Sequence, residues 1–109
     1  MTTFSYQATK ATVIDGDTLD VTLDLGFRIE HRIRLRLKGI NCPEMNTAEG
    51  KAAKQFTTEW IAARLPTMTV NTFKDATEKY GRYLARITAA DGDLNTCLVE
   101  AGHAVWKEY

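Results

Sequence analysis

Strict alternation of apolar and polar residues over two neighbouring stretches most constrains how this chain can fold. From Thr18 to Leu25, Leu19, Val21, Leu23 and Leu25 alternate with Thr18, Asp20, Thr22 and Asp24. From Ile29 to Leu37, Ile29, Ile33, Leu35 and Leu37 alternate with Arg32, Arg34 and Arg36. A period of two puts one face of each segment in a core and the other in water, which predicts a pair of half-buried strands. Gly26 lies between them, so they read as a hairpin. Coincident apolar faces allow a register with Asp24 opposite Arg28 and Asp20 opposite Arg32, two favourable cross-strand pairs. A slip of two residues would keep the same faces. In the first register Arg36 falls opposite Gly16, beside Asp17. Asp17 shares the parity of Leu19 and Val21 and so sits at the mouth of the apolar face. A carboxylate there needs an arginine or a metal ion as partner.

Further strands are expected over about Tyr6–Ile14, Met68–Lys74 and Arg82–Thr88. Asp15-Gly16 marks a bend or bulge, and residues Asp75 to Gly81 form a polar loop. Asn46 with Glu49 reads as a capping-box start for a helix. Ala52, Ala53, Phe56, Trp60 and Ile61 then recur at helical spacing, and Pro66 stops the helix after Leu65. A second helix over about Leu94–Ala101 ends at Gly102. Three strands, a helix, two strands and a helix suit a small Greek-key barrel. At 109 residues and 44% hydrophobic content the chain is expected to be one domain, 1–109, with one core.

The formal net charge is zero. A generic nucleic-acid coat protein carries a strong basic excess, so any contact with phosphates must come from a local basic cleft. Cys42 and Cys97 have no zinc-like spacing and read as reduced thiols. The N-terminus lacks a basic region followed by an apolar run, and no stretch has transmembrane length. The expectation is a cytoplasmic monomer without a membrane partner.

Three blocks then carry a resemblance: Val13-Ile14-Asp15-Gly16-Asp17-Thr18, the segment Arg36-Leu37-Lys38-Gly39-Ile40-Asn41-Cys42-Pro43-Glu44, and Lys79-Tyr80-Gly81-Arg82. In this order, with the tail Leu98-Val99-Glu100-Ala101-Gly102-His103-Ala104, they resemble the staphylococcal nuclease family over most of the chain. The resemblance implies an OB-fold five-stranded Greek-key barrel with two helices, of α+β, mainly β class. It implies calcium-dependent hydrolysis of DNA and RNA phosphodiesters, with 3′-phosphate products. Residue by residue, it implies that Asp17, Asn41 and the Cys42 backbone carbonyl hold the metal. Arg36 and Arg82 would hold phosphate, Glu44 the attacking water, and Lys79 and Tyr80 the terminal phosphate. Asn41 departs from the aspartate of the best-known member and removes one negative charge from the metal site. Near the end of the chain, Trp106 or Tyr109 could stack on substrate.

Plainer readings stand beside these. Asp17 could be a turn residue, Arg36 a solvated strand arginine like Arg34, and Glu44 a cap. Arg82 could pair with Glu78 or Asp75, while Lys79 and Tyr80 could be ordinary loop residues. The alternative function is an OB-fold module that binds single-stranded nucleic acid without cutting it.

Overall fold

A computed structural model describes residues 3–65, 67–77 and 82–107. The strands are β1 (Thr3–Asp15), β2 (Thr18–Asp24), β3 (Glu30–Leu37), β4 (Ile40–Asn41), β5 (Thr69–Thr77), β6 (Tyr83–Ala89), β7 (Gly92–Asp93) and β8 (Val105–Trp106). The helices are α1 (Ala48–Ala62) and α2 (Leu94–Glu100). Strands run in the order β3-β2-β1-β5-β6-β7, and a parallel β3–β6 pairing closes β1, β2, β3, β5 and β6 into a five-stranded barrel. The expected α+β, mainly β barrel with two helices is therefore the observed fold. The short strands β4, β7 and β8 carry no periodicity that a sequence reading could detect. Closure removes the open edges that would otherwise template aggregation.

The alternating residues fill the barrel. Leu19, Val21 and Leu23 of β2 meet Leu35 and Leu37 of β3, Val70 of β5, and Ala85 and Ile87 of β6. Ala53, Trp60 and Ile61 of α1 and Leu94 and Leu98 of α2 belong to the same cluster. Burying a large aliphatic side chain contributes about 1.5–3 kcal/mol relative to leaving it exposed. No helix among the described residues is long and apolar enough to cross a membrane.

The register of the β2–β3 hairpin corrects the sequence expectation by two residues. Thr18 pairs with Arg36, Asp20 with Arg34, Thr22 with Arg32 and Asp24 with Glu30. The expected register would have left Gly26 alone to reverse the chain, whereas a hairpin loop needs at least two residues. Here Gly26, Phe27 and Arg28 form the loop with φ of 84°, 55° and 64°. Leu25 N–H donates to the Ile29 carbonyl, and Ile29 N–H to that of Gly26. Arg28 thus belongs to the loop rather than a cross-strand pair. The Asp24 carboxylate instead accepts from Gly26 N–H at 2.8 Å.

Helix α1 starts one residue later than expected. Thr47, not Asn46, is the N-cap, and its hydroxyl oxygen accepts from Gly50 N–H. The helix ends at Ala62 with Ala63 as C-cap. Pro66, expected to stop it, lies outside the described residues. β5 continues through Asp75 to Thr77, where a loop was expected, and residues 78–81 of that loop are outside the described set. α2 ends at Glu100; Gly102 follows at φ 83°, and His103 N–H reaches back to the Leu98 carbonyl. The His103 ring lies 5.0 Å from that of Phe56, joining the end of α2 to α1.

Candidate active site

One end of the barrel gathers the β1–β2 turn, the end of β3, the chain entering α1 and the start of β6. The turn is built around Gly16. A Cβ there would press on Ala53 and on the Cys42 side chain at 2.8 Å, so only glycine lets the turn lie against α1. The Thr57 hydroxyl anchors it by donating to the Gly16 carbonyl at 2.8 Å. Asp15 Oδ1 accepts from Asp17 N–H at 3.1 Å, and Leu37 N–H donates to the Asp17 carbonyl at 2.9 Å. Asp17 is therefore held by its backbone from both sides before its side chain does anything.

The Asp17 carboxylate is 7% exposed and Arg36 is 6% exposed. Arg36 Nη2 lies 3.2 Å from Asp17 Oδ2, which also accepts from Cys42 N–H at 2.8 Å. Arg36 also donates from Nη1 to the Leu37 carbonyl at 2.9 Å and from Nη2 to Asn41 Oδ1 at 3.2 Å. Plain alternation puts Arg36 on the same exposed face as Arg34. The chain turns back after Leu37, however, and this end of β3 is buried on both faces. The shifted register places Arg36 opposite Thr18 rather than Gly16.

Burial pushes the Asp17 carboxyl up, from 3.8 to about 6. The Asp15 hydrogen bond adds to the rise, while Cys42 N–H and the Arg36 charge pull the other way. Burial thus outweighs what Arg36 and the Cys42 N–H contribute to the ionised form. The Cys42 thiol is also pushed up, to about 12, chiefly by burial. It stays neutral at ordinary pH, so Cys42 contributes its backbone here and not a thiolate.

Arg82 is half-buried at the start of β6, and its Nη1 donates to Thr18 Oγ1 at 3.0 Å. It thereby stands on the same strand pair as Arg36. Glu44 lies two residues beyond Cys42 and is exposed. Its carbonyl accepts from both the N–H and the hydroxyl of Thr47, at 3.1 and 2.6 Å. A Cβ on Gly50 would overlap that carbonyl, so a glycine in the first turn of α1 lets the Glu44 loop rest on the helix. The Glu44 side chain makes no hydrogen bond or ion pair among the described residues.

The structure brings Asp17, Arg36, Asn41 and the Cys42 backbone into one hydrogen-bonded group, with Arg82 beside it on Thr18. Glu44 shares the loop but not those bonds. Lys79 and Tyr80 lie outside the described residues, as do Glu78 and Tyr109. The side chain of Asp75 is also outside the description. Trp106 is 55% exposed on β8, which pairs with β4 and so runs beside Asn41.

Sequence reasoning missed four supporting residues: Asp15, Thr18, Thr57 and Asn95. Asn95 is fully buried. It donates to the Lys38 carbonyl at 2.8 Å and accepts from Ile87 N–H at 3.4 Å, tying α2 to the turn after β3. Its position beside Leu94 in a short helix gave no periodic cue. Thr57, by contrast, falls four residues from both Ala53 and Ile61, a spacing that marks the buried face.

The Asp17 carboxylate and the Asn41 amide oxygen, both bonded to Arg36, are oxygen donors of the kind a hard cation takes. Asp17 Oδ1 accepts from the Thr18 hydroxyl at 3.4 Å. No cluster of three or more His, Cys, Asp or Glu side chains occurs among the described residues, so the side chains do not form a closed metal cage. Comparison with protein-family models matches residues 34–109 to the family described as staphylococcal nuclease homologue. No curated protein matches the chain.

Proposed function

Because the chain belongs to the family of staphylococcal nuclease homologues, we propose that it is a metal-dependent nuclease hydrolysing DNA or RNA phosphodiester bonds. The observation that supports this most is the buried Asp17–Arg36 pair, tied to Asn41 and the Cys42 N–H, with Arg82 alongside. A purely structural barrel has no evident need for two arginines and a buried carboxylate at one end.

In this reading Asp17, the Asn41 amide oxygen and the Cys42 carbonyl would hold a divalent cation, calcium by family resemblance. Such an ion supplies positive charge to the phosphate oxygens as the reaction proceeds. Arg36 and Arg82 bind those oxygens through guanidinium forks, a geometry a lysine does not reproduce. Arg36 must exchange some of its present partners for phosphate oxygens. Glu44 faces solvent and takes a proton from the attacking water. The new phosphorus–oxygen bond forms as the bond to the 5′ oxygen breaks; that oxygen takes a proton from solvent and leaves as a hydroxyl, and the other product carries a 3′-phosphate. Lys79 and Tyr80 are assigned to the terminal phosphate on the resemblance alone.

A second reading is a barrel that binds single-stranded nucleic acid without cleavage. It is favoured by the neutral Asn41, whose oxygen is engaged by Arg36. DNA cleavage that requires an added divalent ion and stops with chelator supports the nuclease. Salt-sensitive binding with no cleavage under calcium, magnesium or manganese supports the binding module.

A further inference from the structure

The outer face of the β1–β2–β3 ribbon carries cations the site described above does not use. In cross-strand rows, Lys10 and Arg32 both pair with Thr22, and Thr12 and Arg34 both pair with Asp20. The next row toward the site has Thr18 opposite Arg36. Lys10, Thr12, Asp20, Thr22 and Arg32 line one shallow groove of about 120 Å³ on this face. Asp20 is the one carboxylate among them. It holds Arg34 through Nε and Nη2 at 2.7 and 3.1 Å and touches Arg32 at 3.3 Å. The arginine side chains remain 55% and 69% exposed. Three cations against one carboxylate leave the strip positive inside a chain of zero net charge.

The strip has a beginning and an end. At one end Arg34 stands two residues along β3 from Arg36, whose cross-strand partner Thr18 accepts from Arg82 at 3.0 Å, so Arg34 adjoins the candidate site. At the other end Asp24 faces Glu30, which would repel a polyanion. Alternate residues of a strand are spaced by ~7 Å, twice the rise of ~3.3 Å. Arg34 and Arg32 therefore form a short file of exposed cations that can follow one phosphate backbone.

We infer that the face from Arg34 and Arg32 to Lys10 is a phosphate track that carries a single-stranded polynucleotide away from the Arg36–Arg82 site. The inference rests on the nucleic-acid reading of that site and adds a surface that holds the strand several nucleotides away from it. Asp20 pre-orients Arg34 and Arg32, leaving their outer edges to the strand.

The test is binding of a thymidine dinucleotide, a thymidine octanucleotide and a duplex of equal length across a salt series, with chelator present so that nothing is cut. Wild type should bind the octanucleotide more tightly than either of the others. Arg32→Ala and Lys10→Ala should each lower the slope of log affinity against log salt by about 0.7, the value for one single-strand phosphate contact. Each should also remove part of the gain from two nucleotides to eight. Lys54→Ala on α1, outside this face, should leave the slope unchanged. Both variants alter exposed residues, and circular dichroism reports whether each is folded. An unchanged slope in both, an equal fall in Lys54→Ala, or duplex binding as tight as the single strand overturns the track. A parallel cleavage assay with calcium reports on the nuclease reading, so the two can fail separately.

Discussion

At the scale of single residues, the Asp17–Arg36 pair governs both stability and chemistry. Removing one partner of a buried ion pair costs about 3–5 kcal/mol, because the other charge is left uncompensated. Arg36→Ala should therefore lower the thermal midpoint as well as activity, and lost turnover in that variant alone is weak evidence of a phosphate role. Glu44 makes the cleaner test. It is exposed, so Glu44→Gln should change stability by less than about 0.5 kcal/mol. Turnover should fall by ~10²-fold or more, the usual range for a general base. Asp17 makes a pH-dependent prediction for the metal-free protein. Its folded carboxyl, near 6, lies above the ordinary 3.8, so between these values the folded state holds more proton than the unfolded state. Its contribution to stability is present below about pH 4 and is lost as pH rises through 6. With chelator present, the thermal midpoint of Asp17→Asn relative to wild type should rise from pH 4 to pH 7. A difference that stays flat, or falls, would contradict the assignment. Asn41→Asp should tighten calcium binding, measured by titration calorimetry, because it restores a charged oxygen donor.

At the scale of elements, the site depends on how α1 begins. Thr47 caps the helix and holds the Glu44 carbonyl, so Thr47→Ala should cost about 1 kcal/mol and loosen the loop. Gly50→Ala should do more, since its Cβ would meet the Glu44 carbonyl. Its turnover should drop together with its thermal midpoint, while Lys51→Ala, one residue on and exposed, should alter neither. The strands around the site were legible because alternation is strong in β2 and β3 and the apolar faces had to coincide. The register was not, because parity admits every slip of two, and the loop conformation of Gly26–Arg28 decides among them. The buried state of Arg36 was hidden for a related reason. Alternation describes a strand covered on one face, whereas the far end of β3 is covered on both. The Glu44 loop lay in the resemblance, but the packing of Gly50 beneath it leaves no pattern in a sequence.

At the scale of the whole molecule, a barrel with zero net charge presents its positive field locally. Arg36 and Arg82 stand at one end, and Arg34, Arg32 and Lys10 run outward from it. A ligand that binds only the folded state adds about 2.7 kcal/mol at a hundred times its dissociation constant. Saturating calcium should therefore raise the thermal midpoint of wild type by several degrees and that of Asp17→Asn much less, as read by scanning calorimetry. Equal shifts in the two would place the ion elsewhere.

The most direct test of the central claim is cleavage of single- and double-stranded DNA by wild type and Glu44→Gln, each with calcium, magnesium, manganese or chelator. The expected result is calcium-dependent cleavage by wild type, abolished by chelator and reduced by ~10²-fold or more in Glu44→Gln. Cleavage that persists undiminished in Glu44→Gln, or no cleavage by wild type with any ion, would contradict it.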